Sequence, residues 1–288
     1  MRLTGKTGLL GVIGHPIAHS LSPAMHNAAF AASGQDYVYV PMDVLPERLP
    51  DAVRGMVALG FRGFNVTIPH KEEILPLLDE LDDSAHIPGA VNTVVVEEDR
   101  LRGLNTDGSG FLEAYHEAGG ELRGRRVLIL GAGGAAAAIS AAVLGQGVCE
   151  LLLINRSAGR ARRLYEKLMR EYPEANVTLH PLAETANAAK RAEILINATS
   201  LGMEDDSLAF PAEAISAEKT VCDVVYRADG ETPLVKLAWE QGARVVSGER
   251  MLLYQGVESQ RVWTGKDPDI GAMSGVLVGE IEVGEGQV

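Results

Sequence analysis

A lysine, a carboxylate and several short polar side chains follow predicted elements in the first part of the chain. Asn65 and Thr67 come at the end of an apolar strand, and their alternation places both side chains on one side of an extended segment. Lys71 begins the helix predicted next, and Asp107 stands at the start of a later helix. Beside a carbonyl oxygen, an ammonium group can stabilise negative charge or donate a proton, and a carboxylate can orient that ammonium.

More hydroxyls and amides surround these residues in the sequence. Ser20 and Ser22 are two residues apart, and Asn92 follows a further apolar segment. Each has a local alternative: Ser22 and Asp107 suit helix N-caps, and the amides suit turns. Several such groups in one domain favour a binding site for a ligand rich in hydroxyls.

A glycine-rich turn comes later, directly after an apolar strand. The strand at 127–130 runs into Gly131-Ala132-Gly133-Gly134-Ala135-Ala136, and a helix follows. In a dinucleotide-binding unit, Gly131 would permit the tight turn, Gly133 the close approach of the backbone, and Ala136 the packing of the helix. The pyrophosphate would lie at the helix N-terminus. The alternative is a packing turn in an unrelated α/β unit.

The next strand ends in Asn155-Arg156-Ser157, where an NAD site usually carries an acid that binds the ribose. A guanidinium fits a 2′-phosphate in charge and in geometry. Arg156 therefore favours NADP over NAD, unless it is only a solvated surface residue.

Short strands and helices alternate along the chain, which is typical of an α/β protein with a mostly parallel sheet. The first block has predicted helices at 24–32, 47–59 and 69–81 and strands at 37–40, 63–66 and 90–96. The second has predicted strands at 127–130, 151–154, 177–180, 194–197, 220–224 and 244–246, with helices at 107–118, 134–144, 158–170 and 234–241. Two further helices are predicted at 248–265 and 267–282, with a frayed tail after Ile281.

Length and charge limit the function classes. The 288 residues suggest about two domains, and a net charge of −13 argues against nucleic acid as a partner. The segment 156–170 is locally basic, with six basic residues and one acid. No membrane span or targeting segment is evident, and Cys149 and Cys222 lie in apolar runs typical of buried reduced thiols, so we expect a cytoplasmic protein.

The motifs in their order along the chain resemble the shikimate dehydrogenase family over nearly the whole length. The matching segments are His19 to Pro23, Asn65 to Lys71, Gly89 to Thr93, Asn105 to Gly108, Gly131 to Ala135, Asn155-Arg156, Asn197 to Ser200 and Met251 to Gln255. The resemblance implies reversible, NADPH-dependent reduction of 3-dehydroshikimate to shikimate in aromatic amino acid biosynthesis. It also implies a Rossmann-type NADP domain at 107–246 and an α/β substrate domain at 1–106, completed by C-terminal helices at 247–288.

The resemblance also implies residue roles. Lys71 and Asp107 would be the catalytic pair, and no metal is expected. The substrate residues would be Ser20, Ser22, Asn65, Thr67, Asn92, Tyr226 and Gln255. The cofactor residues would be Gly131, Ala132, Gly133, Gly134, Ala135, Asn155, Arg156, Ser157, Arg160, Thr199, Val224, Gly248 and Met251. The partners would be small molecules, and the chain would be a monomer or a homodimer.

The chain departs from the family pattern at two places. Arg227-Ala228-Asp229 follows Tyr226 where a proline is common, and Ala135 to Ala138 lacks a usual basic residue. Two alternatives stay open: a quinate/shikimate dehydrogenase that uses NAD or both cofactors, and a catalytically silent ligand sensor on the same fold. Against the first, Ser157-Ala158 follows Arg156 where NAD-preferring relatives tend to carry an acid; against the second, Lys71 and Asp107 are both present.

Overall fold

The computed structural model describes residues 3–227 and 230–285. The chain forms two compact units. The first comprises residues up to Thr106 together with Leu252–Val283, and the second comprises Asp107–Met251. Residues 247–251 group with the second unit, which therefore ends five residues beyond the boundary at 246/247 that the sequence suggested. Gly248 accounts for this, since a Cβ there would lie 2.3 Å from the backbone oxygen of Val225.

The strands and helices alternate through both units. The strands are β1 (Gly8–Gly14), β2 (Tyr37–Asp43), β3 (Phe61–Val66), β4 (Glu80–Leu81), β5 (Thr93–Glu97), β6 (Arg100–Leu104), β7 (Arg126–Leu130), β8 (Glu150–Ile154), β9 (Val177–His180), β10 (Ile194–Asn197), β11 (Thr220–Asp223) and β12 (Arg244–Val246). The helices are α1 (Ser22–Ser33), α2 (Leu49–Ala58), α3 (His70–Glu73), α4 (Asp83–His86), α5 (Asp107–Glu117), α6 (Gly134–Gly145), α7 (Ala158–Glu171), α8 (Thr185–Arg191), α9 (Pro233–Glu240), α10 (Gly248–Thr264) and α11 (Ile270–Glu285).

The first unit contains a mixed sheet in the order β2-β1-β3-β5-β6-β4. β1 pairs in parallel with β2 and β3, and β4 pairs in parallel with β6, whereas β5 is antiparallel to both of its neighbours. Trp263 of α10 packs among the core residues of this unit, and its indole nitrogen donates to the Val94 oxygen at 2.9 Å. The C-terminal chain thus completes the fold that the N-terminal residues begin.

The second unit contains a parallel sheet in the order β12-β11-β10-β7-β8-β9. The order of the strands reverses between β7 and β10, as in the doubly wound dinucleotide-binding fold. The described strands β7, β8, β10 and β11 are almost entirely buried, because helices cover both faces of such a sheet. The predicted two-domain α/β class, with a Rossmann-type second domain, is confirmed.

The helix predicted at 69–81 is wrong. α3 ends at Glu73, a 3₁₀ turn covers Leu75–Leu77, and Glu80–Leu81 forms β4 beside β6. Pro76 explains the break, because a proline inside a helix removes a donor and clashes with the preceding turn. The sequence analysis also missed β1, β4 and β6 as strands, although β1 lies inside the first sheet.

The cysteines, the C-terminal helix and the question of a membrane span concern three further expectations from the sequence. Cys222 is buried, but Cys149 is exposed because it lies in the turn before β8 rather than in the strand. α11 continues to Glu285 instead of fraying after Ile281, and residues 286–288 lie outside the described part. No helix in the described ranges combines the length and apolarity that a membrane crossing needs.

Candidate active site

Asn65 lies at the centre of a buried hydrogen-bond network in the first unit. Its Oδ1 accepts a bond of 2.7 Å from the Tyr39 hydroxyl, and its Nδ2 donates to the backbone oxygen of Asn92 at 2.9 Å. The same Nδ2 lies 3.1 Å from both Thr93 Oγ1 and Ser259 Oγ. The orientation of the carboxamide is therefore set by partners from β2, β5 and α10.

Aromatic packing supports the Tyr39 hydroxyl as a donor. Burial raises the pKa of Tyr39, so the phenol stays protonated. Its ring stacks on His26 with centroids 4.3 Å apart. Burial lowers the pKa of His26 to about 4, and a hydrogen bond to Gln260 opposes this shift only in part. A neutral stack thus holds the phenol against Asn65.

Asn92 is bonded within the same network. Its Oδ1 accepts from the Thr106 backbone N–H at 2.9 Å and from the Thr93 hydroxyl at 2.8 Å, and its Nδ2 donates to Thr106 Oγ1 at 3.0 Å. Ser259 donates to the Gln255 oxygen at 2.9 Å, and Thr106 donates to the same oxygen at 3.1 Å. The structure therefore brings together three predicted substrate residues, Asn65, Asn92 and Gln255.

Three of the predicted substrate residues carry hydroxyls that lie outside this hydrogen-bond network. In the described part of the chain, those of Ser20, Ser22 and Thr67 have no hydrogen-bond partner. Ser22 is not the N-cap of α1, because the helix already includes it, the preceding residue is Leu21, and no side chain caps the end. Ser22 is buried all the same. Buried or half-buried hydroxyls without partners favour an external ligand over a structural role.

The predicted catalytic residues lie at the starts of helices, each in its own unit. Lys71 is half-buried on α3, and its backbone oxygen accepts from the Val91 N–H at 2.8 Å. Asp107 begins α5 and is buried. The Gln255 side chain on α10 donates to the Leu252 oxygen at 2.8 Å. The catalytic roles of Lys71 and Asp107 stay predictions.

The glycine-rich turn of the second unit has the shape that a dinucleotide requires. Gly131 has φ +130°, and a Cβ there would lie 2.5 Å from the Ala198 oxygen, so only glycine fits. Gly133 precedes α6 with open space around it and no side-chain cap on the helix. The remaining predicted residues, Ala132, Gly134 and Ala135, complete this loop and the first turn of α6. An uncapped N-terminus of a twelve-residue helix suits a pyrophosphate.

The end of β8 carries no acid to bind a ribose hydroxyl. Asn155 donates to the Ser157 oxygen at 3.0 Å, which shapes the turn, and the Ser157 hydroxyl caps α7 by accepting from the Arg160 N–H at 3.4 Å. Arg156 and the Arg160 side chain are exposed. The structure thus gives Asn155 and Ser157 local structural roles and leaves the guanidinium of Arg156 accessible to a phosphate.

A second buried network joins the carboxyl ends of β10 and β11. Asn197 Nδ2 donates to Asp223 Oδ1 at 2.8 Å, and the Thr232 hydroxyl donates to Asp223 Oδ2 at 2.7 Å. The Thr199 hydroxyl donates to Asn197 Oδ1 at 2.7 Å. Burial raises the pKa of Asp223 to about 6, and the hydrogen bonds from Thr232, the Val225 N–H and Asn197 oppose that shift. This network holds Thr199 and the segment that contains Val224.

Other predicted residues lie close to this segment in the chain. Gly248 packs against the backbone of Val224 and Val225, where a Cβ would clash. Met251 is buried on α10. Burial raises the pKa of Tyr226, and the nearby charge of Glu249 adds to that shift. The departure after Tyr226 concerns Arg227, which is described, and Ala228 and Asp229, which lie outside the described residues.

Sequence reasoning missed the residues that hold the predicted site. The sequence analysis singled out neither Tyr39, Ser259 nor Asp223 for a role, although each makes buried bonds to a predicted or neighbouring residue. Ser259 lies one helical turn after Gln255 on α10, and this spacing was the available signal. Within residues 3–227 and 230–285, no group of three or more His, Cys, Asp or Glu side chains could hold a metal ion.

Sequence profiles of one family match both units. Residues 12–94 match "Shikimate dehydrogenase substrate binding domain", residues 113–203 match "Shikimate / quinate 5-dehydrogenase", and residues 248–277 match "Shikimate 5'-dehydrogenase C-terminal domain". The chain belongs to the shikimate dehydrogenase family.

Individual members of the shikimate dehydrogenase family match nearly the whole chain. A protein of Rubrobacter xylanophilus named Shikimate dehydrogenase (NADP(+)) is 57% identical over 97% of this chain and 98% of its own length. A solved shikimate dehydrogenase in complex with NADP+ has a TM-score of 0.90 and 38% identity, covering 97% of this chain and 98% of that one. Quinate dehydrogenase from Corynebacterium glutamicum in complex with NAD has a TM-score of 0.88 and 33% identity, covering 95% and 99%.

The network around Asn65 leads to a stability prediction. Tyr39→Phe removes the donor to Asn65 Oδ1 and leaves a buried carbonyl oxygen without this partner, which costs about 1–3 kcal/mol. Urea unfolding of the variant measures the loss. Tyr37→Phe is the matched control, because the partly buried Tyr37 packs on Phe30 and its hydroxyl has no partner among the described residues. Equal losses in the two variants would contradict the assigned bond.

Asp223 predicts a pH dependence of stability. Its pKa rises from 3.8 to about 6 on folding, so the folded chain holds the proton more tightly. The resulting stability is fully present below about pH 4 and is lost as the pH rises through about 6. Asp223→Asn lacks this titration, so its free energy of unfolding relative to wild type should increase by roughly 3 kcal/mol between pH 4 and 7.

Asp205→Asn is the control for this measurement. Asp205 is exposed, and hydrogen bonds from Ser207 lower its pKa. Its contribution to stability is therefore present at neutral pH and is lost as the pH falls, which is the opposite sign. A difference between Asp223→Asn and wild type that stays constant from pH 4 to 7 would be inconsistent with the raised pKa.

Proposed function

We propose that this chain catalyses the reversible, NADPH-dependent reduction of 3-dehydroshikimate to shikimate, a step of aromatic amino acid biosynthesis. The observation that carries the proposal is the 57% identity, over nearly the full length, to a protein named Shikimate dehydrogenase (NADP(+)). The unpartnered hydroxyls of Ser20, Ser22 and Thr67 support it, because a cyclic acid with several hydroxyls can supply the missing partners.

Tyr226 is one of the seven proposed substrate residues, and the other six divide into two groups. Ser20, Ser22 and Thr67 bind the carboxylate and ring hydroxyls of the substrate through hydroxyls that the protein leaves without partners. Asn65 and Asn92 present carboxamides whose orientation is already set by buried bonds, and Gln255 lies on α10 beside them in the network. A pre-oriented amide does not have to be ordered when the substrate binds, which favours both affinity and selectivity.

Lys71 acts at the reacting oxygen. When bound, NADP supplies or accepts the hydride. Reduction of the ketone develops negative charge on its oxygen, and the Lys71 ammonium stabilises that charge and donates a proton to it. Asp107 is the second member of the proposed catalytic pair, and its carboxylate is suited to proton exchange in the same reaction. In the oxidative direction, Lys71 receives the proton of the hydroxyl.

The cofactor residues fit an NADP molecule at the carboxyl edge of the second sheet. The loop Gly131–Ala135 and the uncapped start of α6 bind the pyrophosphate, and Thr199, Val224, Gly248 and Met251 line the nicotinamide half. Arg156 pairs with the 2′-phosphate, with Arg160 one helical turn further along. The absence of an acid at the end of the described β8 favours this phosphate over a free ribose hydroxyl.

A quinate/shikimate dehydrogenase that uses NAD or both cofactors is the second candidate. The likeness to quinate dehydrogenase from Corynebacterium glutamicum in complex with NAD supports this candidate. The accessible Arg156 argues against it, because a guanidinium favours NADP over NAD. We also propose a cytoplasmic location, because both cysteines are free thiols, as is usual in a reducing compartment.

A matrix of two substrates and two cofactors tests the proposal. Purified chain should oxidise shikimate with NADP+ at a kcat/KM at least about tenfold above that for NAD+ with shikimate, or for either cofactor with quinate, because lost charge-assisted bonds cost 1.5 kcal/mol or more. The formation of NADPH followed at 340 nm measures each rate. Absence of turnover with shikimate and NADP+ would sink the proposal, and equal turnover of quinate would favour the second candidate.

Arg156 is tested separately. Arg156→Asp should raise the KM for NADP+ about 10- to 100-fold and leave the KM for shikimate within about twofold, because a charge-assisted pair is replaced by repulsion. Arg162→Asp makes the same charge change at an exposed position of α7, the helix that follows Arg156, and should raise the KM for NADP+ less than about threefold. If the two variants behave alike, Arg156 does not bind the phosphate.

A further inference from the structure

Lys71 lies on a helix that is too short to be stable by itself. α3 has only four residues, whereas isolated helices shorter than about 12–15 residues are marginal in water. The turn is made by the His70 N–H, which donates to the Thr67 oxygen at 2.9 Å, and by the Ile74 N–H, which donates to the His70 oxygen at 3.0 Å. The direction in which Lys71 projects must therefore be set by contacts from outside this turn.

His70 provides such a contact through its side chain. The residue is fully buried, and its Nε2 lies 2.7 Å from the backbone oxygen of Val44, just after β2. A carbonyl oxygen can only accept, so Nε2 carries the proton. Nδ1 is buried without a hydrogen-bond partner among the described residues, so the bond to the Val44 oxygen is the one that the His70 side chain makes there. The bond therefore has a fixed direction and a fixed donor.

The Val44 oxygen is a firm anchor point. The Val44 N–H donates to the Gly14 oxygen at 3.0 Å, so this residue is itself tied to the end of β1. On the other side of α3, the Lys71 backbone oxygen accepts from the Val91 N–H at 2.8 Å. Val91 directly precedes Asn92, which belongs to the network around Asn65. The short helix is thus held between the ends of β1 and β2 and the segment that leads into β5.

We propose that His70 is a positioning residue for Lys71, acting through the bond from its Nε2 to the Val44 oxygen. The proposal rests on the catalytic role of Lys71 given above. His70 contacts neither substrate nor cofactor in this assignment. It fixes the first residue of the helical turn, and the next residue along the chain carries the reacting ammonium. A displacement of that ammonium by about 1 Å is enough to slow a reaction up to about a hundredfold.

Two substitutions separate the bond from simple packing. Leucine at position 70 fills the buried space with an apolar side chain but has no donor for the Val44 oxygen. Glutamine carries an Nε2 donor at a comparable distance from its Cα and can restore the bond. His70→Leu should lower kcat for shikimate oxidation by about 10- to 30-fold with a change in substrate KM below about threefold, and His70→Gln should recover kcat to within about threefold of wild type.

Val53→Ala is the matched control for lost stability. Val53 lies on α2 in the hydrophobic cluster that also contains Val44 and Ile74, but it has no bond to α3. This variant should melt at a lower temperature than wild type and keep its kcat. Melting curves of all four proteins, together with their kcat and KM values, therefore distinguish destabilisation from misplacement of Lys71.

The possible outcomes are decisive. Loss of kcat in His70→Leu with recovery in His70→Gln supports the proposal. Wild-type kcat in a folded His70→Leu overturns it, and so does a His70→Gln as slow as His70→Leu. If His70→Leu does not fold, His70→Gln alone decides, since near-wild-type kcat supports the bond and a large loss overturns it. Absence of turnover in the wild-type chain instead overturns the proposed function, and this inference with it.

Discussion

The first unit depends on the requirement that the buried carboxamide of Asn65 find hydrogen-bond partners. A buried amide without partners costs several kcal/mol, so its neighbours must arrive in defined positions. They come from distant parts of the chain: Tyr39 is 26 residues away and Ser259 is 194 residues away. The C-terminal chain must therefore return to the first unit before the hydrogen-bond network around Asn65 is complete. This requirement makes the substrate domain discontinuous in sequence.

The second unit meets a comparable requirement at the carboxyl edge of its parallel sheet. Strand ends leave backbone groups exposed there, and Asn197 and Asp223 satisfy several of them while bonding to each other. The cost is a buried carboxyl group whose pKa is raised to about 6. These bonds hold the loops after β10 and β11, and the loop after β10 lies beside Gly131, which must lack a Cβ for the Ala198 oxygen to approach.

The sequence predicts best where structure is decided locally. β10 is a buried, largely apolar strand and was predicted with its observed bounds. The bounds of β9 and β12 were also predicted as observed, and those of β7 to within one residue. The helix predicted at 69–81 is wrong because Pro76 interrupts it, although Pro69 is a favourable helix start. Ser22 has the residue type of an N-cap, but it is the first residue of α1, and Leu21 occupies the N-cap position. The bonds of Tyr39 and Ser259 to Asn65 could not be predicted from local patterns, because these residues are far from Asn65 in the sequence.

The first unit contains polar groups that are hydrogen-bonded within the protein and others that are not. This difference explains how the same domain can be stable and still bind a polar ligand. Asn65 and Asn92 are each bonded to several protein groups, so they add to the stability of the fold and have carboxamides of fixed orientation. The hydroxyls of Ser20, Ser22 and Thr67 have no partner within the described structure, so they are available to a ligand. A ligand that lacks one hydroxyl leaves one of these groups unpaired in a half-buried place, at a cost of about 1–3 kcal/mol. Under the proposed function, these hydroxyls would give selectivity for a polyhydroxylated acid, while the bonded groups provide the stability of the fold.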